Sequence, residues 1–240
     1  MTRAEKIKET FRETKERRKT QIAKTYCLKL QNISKAKEEK LLRAFLEAKW
    51  LYNWAIKQEN IFEIDGSKVR KVQVKVGESF EERELAVLGS QVRQEIVDRI
   101  KDNIKALARL KEKGKKVGRL KPKKRVSSIP FKQYGVSHRI DFERNRIHLQ
   151  KLGSFRVLGL HQIPENAELS KAVLIRKPSG YYIHITCFVP KEERPTLEKP
   201  VAIDFGIKDK LTLSNGMKID FEVPESKRLK RLQRELARKR

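Results

Sequence analysis

Thr25-Tyr26-Cys27-Leu28-Lys29-Leu30 reads as a short strand, and no segment beside it in the sequence can pair with it. A lone strand leaves a row of backbone donors and acceptors unsatisfied, so it must find a sheet elsewhere. Helical periodicity dominates residues 34–124, and alternating segments resume only from Ile129 onward. The strand therefore joins the later sheet across a helical insertion. That requirement places the chain in the α+β class and limits its topology more than any other stretch does.

Within the insertion, Ser34 is an N-cap for a helix running to about Gln58. Leu41, Leu42, Phe45, Ala48, Tyr52 and Ile56 make its core face, while Leu46, Trp50 and Trp54 widen the apolar surface toward a second neighbour. Base stacking by a Trp is the sharper alternative to core packing. Asp65-Gly66 marks a turn, and Val72, Val74 and Val76 alternate with Lys71, Gln73 and Lys75 as a strand. A second helix starts near Ser90, with Ile96, Ile100, Ile104 and Leu107 as its stripe and Arg93, Arg99, Lys101, Lys105 and Arg109 on the remaining faces. From Ile129 to Val189 short alternating strands follow one another, punctuated by Gly and Pro, which predicts a small barrel or sandwich. Pro178-Ser179-Gly180 predicts a hairpin between its last two strands. His138, His148, His161 and His184 lack metal-ligand spacing and read as structural.

Charge selects the partner. Lys and Arg number 58 against 31 Asp and Glu, a formal net charge of +27 that exceeds what solubility asks for and suits a polyanion. Nucleic acid leads. A membrane surface is the competing reading, but no run approaches the roughly 18 apolar residues of a spanning helix, and no signal-peptide segment opens the chain, so a soluble intracellular protein is expected. Cys27 and Cys187, far apart, exclude a disulfide framework and make no zinc site; both read as small core residues. Between Lys111 and Arg125 lie nine basic residues and one acidic, with two Gly and a Pro. Lys113, Lys115, Lys116, Arg119, Lys121, Lys123, Lys124 and Arg125 are the candidate nucleic-acid contacts, because cations release condensed counterions and glycines let a backbone approach phosphates closely. The plainer alternative is a solvated linker. Residues 1–24 form a basic arm, either ordered by RNA or a plain solvated helix.

Past a proline-flanked linker at 191–199, the run Val201-Ala202-Ile203-Asp204-Phe205-Gly206-Ile207 alternates with Val201, Ile203, Phe205 and Ile207 on one face and Ala202, Asp204 and Gly206 on the other. A carboxylate there must be exposed, hydrogen-bonded or metal-bound. Residues 210–213, an Asn215-Gly216 type I′ signal and residues 217–221 extend this into a meander, and Pro224-Glu225-Ser226 starts a helix with Leu229, Leu232 and Leu236 as its stripe. Three strands and one helix cannot cover both faces of such a sheet, so this last part is expected to be an incomplete domain.

Val201-Ala202-Ile203-Asp204-Phe205-Gly206-Ile207-Lys208-Asp209, followed by Leu211-Thr212-Leu213-Ser214-Asn215-Gly216, resembles the first RuvC motif of the TnpB family, transposon-associated RNA-guided DNA endonucleases related to miniature type V CRISPR effectors. Trp50-Leu51-Tyr52-Asn53-Trp54, Gly114-Lys115-Lys116-Val117-Gly118-Arg119-Leu120-Lys121 and Lys177-Pro178-Ser179-Gly180-Tyr181-Tyr182 extend the resemblance over nearly everything after Thr25. It implies a wedge β-barrel (25–33 and 125–190) interrupted by a helical recognition insertion (34–124), then the first part of an RNase H-like RuvC domain (200–240). It further implies that Asp204 is the first of three catalytic acids holding Mg²⁺ in a two-metal site, with the other acids and the family's zinc element belonging to sequence beyond Arg240. Asp209 and Asp220 are poor substitutes, the first by strand parity and the second by lack of alignment with Asp204. The implied partners are guide RNA and double-stranded target DNA, with no membrane, together with the remainder of the nuclease domain or a second copy; the implied setting is a prokaryotic-type cytoplasm, at the nucleoid.

Three functions stay open at this point. The chain is the nucleic-acid-binding portion of an RNA-guided endonuclease, a naturally short guided binder or repressor that does not cleave, or a generic basic RNA-binding protein in which Asp204 is structural. Enzymatic activity is not decided by one carboxylate.

Overall fold

A computed structural model describes residues 2–191, 201–206, 210–221 and 226–238, and divides the chain into two compact units, 1–191 and 192–240. In chain order the first unit holds α1 (Arg3–Lys19), β1 (Gln21–Gln31), α2 (Lys35–Ala55), β2 (Lys71–Val76), β3 (Ser79–Glu84), α3 (Ser90–Glu112), β4 (Ser128–Phe131), β5 (His138–Asp141), β6 (Arg146–Leu149), β7 (Gly153–Leu158), β8 (Glu168–Lys177) and β9 (Gly180–Pro190). The second holds β10 (Ile203–Asp204), β11 (Leu211–Leu213), β12 (Lys218–Ile219) and α4 (Lys227–Ala237).

The early strand does cross the insertion. β1 lies at the centre of a seven-stranded antiparallel sheet ordered β4-β8-β9-β1-β7-β6-β5, bonded to β9 along residues 21–29 and to β7 at residues 29–31. It begins before Thr25 because residues 21–24 find ready partners in residues 187–190. The sheet curls into a nearly closed barrel, and its inward residues include Leu28, Leu30, Ile129, Phe131, Ile147, Phe155, Leu174, Ile183 and Ile185. The same core continues into Leu41, Phe45 and Leu51 of α2 and Val92, Ile96 and Val97 of α3. Barrel and insertion thus share one hydrophobic interior, joined at one point by Phe45 stacked on Tyr181 of β9 at 6.2 Å between centroids.

Several expectations need correction. Arg93, placed on an outer face of its helix by the pattern, is buried: Nη1 donates to the carbonyl of Leu88 (2.6 Å) and Nη2 to that of Ser67 (2.9 Å). Those carbonyls terminate the loops on either side of the β2-β3 hairpin, so a guanidinium fork suits the place better than an apolar side chain. Cys27 is exposed rather than core, because it shares the outward parity of β1 with Lys29, whereas Cys187 is buried. Leu42 is 37% exposed at the edge of the α2 stripe. The Asp65-Gly66 turn packs against α3, where a Cβ on Gly66 would sit 2.8 Å from the Arg93 carbonyl.

One element escaped the pattern, and the solvated helix held open for the N-terminal arm is present. The β3 strand carries SFEERE, with Phe80 its lone apolar side chain, so alternation gave no signal. α1 forms with a capping box, Thr2 Oγ1 accepting from Glu5 N and Glu5 Oε2 accepting from Thr2 N at 2.7 Å. It is tethered by Arg18 Nη1 to Glu168 Oε2 (2.7 Å) and by the Arg18 guanidinium over the Phe188 ring, 3.5 Å from its centroid. The residues of the 1–24 arm thus divide between α1 and the start of β1.

In the second unit the expected meander is present, ordered β10-β11-β12. Its turn is not type I′: Gly216 is left-handed (φ 84) but Asn215 is not, and the Gly216 amide donates to the Leu213 carbonyl (2.9 Å) while the Leu213 amide donates to the Met217 carbonyl (2.8 Å). That is a three-residue loop with glycine at its left-handed position. Ser226 caps α4 by accepting from Leu229 N at 3.1 Å. Residues 192–200, Ile207, Asp209, Pro224 and Glu225, and with them nearly all of the expected linker, lie outside the described residues.

Candidate nucleic-acid interface

After α3 ends, the chain does not leave the body of the protein. Lys113 closes the helix with its amide on the Arg109 carbonyl, Gly114 turns through φ 71, and residues 115–127 run without regular secondary structure, bending at Lys124, to β4. Asn53, half-buried on α2, holds this segment through both backbone polar groups of one residue: its Nδ2 donates to the Lys123 carbonyl (3.0 Å) and its Oδ1 accepts from the Lys123 amide (2.8 Å). Leu120 packs on the cluster of Tyr52, Ala55, Ile61 and Ile100. The Lys123 ammonium sits over the Tyr52 ring, 4.1 Å from its centroid. Farther along, Arg176 of β8 donates its amide to the Ser127 carbonyl at 2.9 Å.

Fastening the segment opens clefts on both sides of it. A cleft of about 460 Å³ lies between α2, α3 and the segment, floored by Ala48, Ile96, Ile100 and Pro130 and rimmed by Tyr52, Arg99, Asn103, Lys123 and Arg125. A second, of about 630 Å³, lies toward the β8-β9 turn and is lined by Arg125, Ser127, Arg176, Lys177, Gly180 and Tyr181 with Glu38 at one wall. A third of about 260 Å³ brings Lys49, Lys124, Arg125 and Arg176 over Leu42, Phe45 and Leu46. Arg125 and Val126 border all three. Cations on an apolar floor beside low-dielectric walls concentrate positive potential where a phosphate would lie.

Of the candidate contacts, Lys123, Lys124 and Arg125 converge on these clefts, whereas Lys113, Lys115, Lys116, Arg119 and Lys121 are exposed along the segment and line none of them. The structure adds Arg99, Asn103, Lys49 and Arg176, drawn from three other elements. Burial pulls the Arg99 guanidinium below the usual arginine range, with Glu95 opposing the shift. Burial likewise pushes the Tyr52 and Tyr181 phenols up. Arg99 follows Ile96 by three positions, on the flank of the helical stripe, and that spacing was its signal in the sequence. Nothing comparable marked Arg176.

Asp204 stands on β10 opposite Thr212, exposed, with Ile203 and Phe205 beside it also open to solvent at 59% and 76%. Asp220 pairs with Lys210 at 3.2 Å, and Asp209 lies outside the described residues. Among the described residues no group of three or more His, Cys, Asp or Glu gathers where a metal ion could be held. A single carboxylate does not meet the several oxygen ligands that Mg²⁺ requires, so these residues alone do not make a two-metal site. Among them, too, no helix is long and apolar enough to cross a membrane. Compared with known proteins, the chain matches no family model, and no curated protein is significantly similar to it.

Proposed function

We propose that the chain is the guide-RNA- and target-DNA-binding portion of a TnpB-like RNA-guided DNA endonuclease. The observation that carries the reading is the basic segment 115–127, fastened by Asn53 so that Lys123, Lys124 and Arg125 face clefts shared by the helical insertion and the barrel. An unstructured basic linker would need no such clasp. A net charge of +27 supplies the long-range attraction, and the motifs around Tyr52, Gly114, Tyr181 and Asp204 supply the resemblance. In this reading the protein holds nucleic acid by backbone and shape, and base pairing supplies the sequence choice. Asp204 belongs to cleavage rather than to binding.

The test is the RNA that co-purifies with the full chain. A uniform scaffold carrying a variable end supports guided binding; a heterogeneous pool of cellular RNA overturns it in favour of the generic RNA binder, to which the exposed and widely spread cations also point. Asp204→Ala is expected to leave RNA and DNA affinity unchanged, and a loss of affinity in that variant would place the carboxylate in a binding or structural role instead.

A further inference from the structure

The β2-β3 hairpin presents a strand with nothing paired to its outer side. The two strands form a sheet of their own, so β3 has β2 along one side and an open edge along the other. The Leu85 amide donates to the Arg70 carbonyl at 2.8 Å, and these residues stand one step beyond the opposed pair of Lys71 and Glu84. Hydrogen-bonded and non-bonded pairs alternate along an antiparallel ladder. Arg83, Glu81 and Ser79 therefore bond across to Val72, Val74 and Val76, while Phe80, Glu82 and Glu84 turn their N–H and C=O groups to the open edge. Arg43 Nη2 takes the Glu84 carbonyl at 3.3 Å, and among the described residues the edge-facing groups of Phe80 and Glu82 have no partner. The side chains here carry the sign opposite to that of the chain: from Glu78 to Glu84 four glutamates stand against one arginine, in a protein of net charge +27. Lys71 reaches Glu82 at 2.7 Å and Arg83 pairs with Glu81, both in the open, and among the described residues Glu78 and Glu84 have no ion-pair partner. Exposed edges are commonly blunted by lysine, which this chain has in abundance. Glutamate on this edge selects what can approach it.

We propose that the β3 edge takes up an extended basic peptide of a partner protein as a third strand, with lysine or arginine at alternate positions. Antiparallel docking satisfies the N–H and C=O groups of Phe80 and Glu82 and sets the partner's cations opposite Glu82 and Glu84 on the exposed face of the hairpin. Charge decides the occupant. A second copy of β3 would bring glutamates against glutamates, and a nucleic-acid backbone would bring phosphates against the same acids, so both are repelled. A basic strand is drawn to this edge and turned away by the predominantly cationic remainder of the chain. The inference stands apart from the proposed function, because no residue of the hairpin lines the clefts around Arg125.

The test is fluorescence anisotropy of the full chain with a labelled octapeptide that alternates lysine and valine. Saturable binding is expected. The same peptide N-methylated at its lysine amides keeps every charge but cannot donate to the edge, and it should bind about tenfold more weakly. Glu82→Lys with Glu84→Lys should likewise weaken the unmethylated peptide by about tenfold or more, because attraction becomes repulsion. Glu82→Pro removes an edge donor and no donor of the β2-β3 ladder, so it should weaken the peptide about tenfold at an unchanged melting temperature. If that melting temperature falls, the methylated peptide on the unmodified chain carries the decision. Equal affinity for the methylated and unmethylated peptides would reduce the contact to diffuse charge and overturn strand addition. No binding of the unmethylated peptide would leave β3 a blunted edge and overturn the surface altogether.

Discussion

Glu47 puts a fully buried carboxylate beneath the loop between β3 and α3, where it accepts from the amides of Ala86 (3.1 Å), Val87 (3.0 Å) and Leu88 (3.1 Å) and from Arg43 Nε (2.9 Å). Four donors satisfy a buried charge that would otherwise be expelled, so one side chain of α2 fixes the start of α3. Glu47→Ala would leave those amides without an acceptor, and a loss of about 3 kcal/mol or more in chemical unfolding is expected. His138 is buried as well, with Nδ1 3.3 Å from Ser137 Oγ and Nε2 without a partner, and burial pushes its pKa down to about 4. In the unfolded chain a histidine titrates near 6.5, so the unfolded state binds the extra proton between those two values. The stability that the neutral ring contributes is complete above about pH 6.5 and is lost as pH falls toward 4, by up to about 3 kcal/mol. Melting temperature followed across that window should fall for the native chain and fall much less for His138→Leu.

At the scale of elements, the clasp between α2 and the basic segment is where structure and proposed function meet. Asn53→Ala removes two hydrogen bonds and should lower stability by about 1 to 2 kcal/mol. Its larger effect is expected on binding, because residues 115–127 must then be ordered by the nucleic acid itself, and several-fold weaker affinity with an unchanged salt slope is the expected signature. A flatter slope would mean that cations had been lost rather than loosened. α1 offers a contrast: the Arg17 and Arg18 pairs with Glu168 are partly exposed, so Glu168→Gln should change stability by about 1 kcal/mol or less. Its carboxyl is held below the ordinary glutamate range chiefly by the hydrogen bond from Arg18, so whatever the pairs contribute is present above the unfolded value and is lost as pH falls through the lowered one.

For the whole molecule, a charge of +27 means that nucleic-acid affinity should fall steeply as salt rises, linearly on a double logarithmic scale. Affinity that stayed flat between low and moderate salt would remove phosphate contacts as the basis of binding. Much of this was legible beforehand. The unpaired strand at Thr25 required a sheet across the insertion, and β1 sits at the centre of it. The stripes of α2 and α3 were legible because long amphipathic helices repeat their signal over several turns. β3 was not, because a short exposed hairpin strand held by a neighbour needs no apolar alternation of its own.

The candidate interface divides along the same line. Lys123, Lys124 and Arg125 stood out in the sequence because like charges crowd there, and charge density needs no fold to be seen. Their convergence with Arg99 from α3 and Arg176 from β8 did not, since these residues are brought together by Asn53 and by a core common to barrel and insertion. Nor could the sequence reveal that Phe80 and Glu82 turn their backbone groups away from β2, because that orientation follows from register, and register is set by which residues reach the interior. By itself the sequence determined the α+β class, the long helices, the crossing strand and the sign of the chain's own charge, all local or additive properties. Only the tertiary structure decided which cations share a surface, because proximity between distant residues is a property of packing.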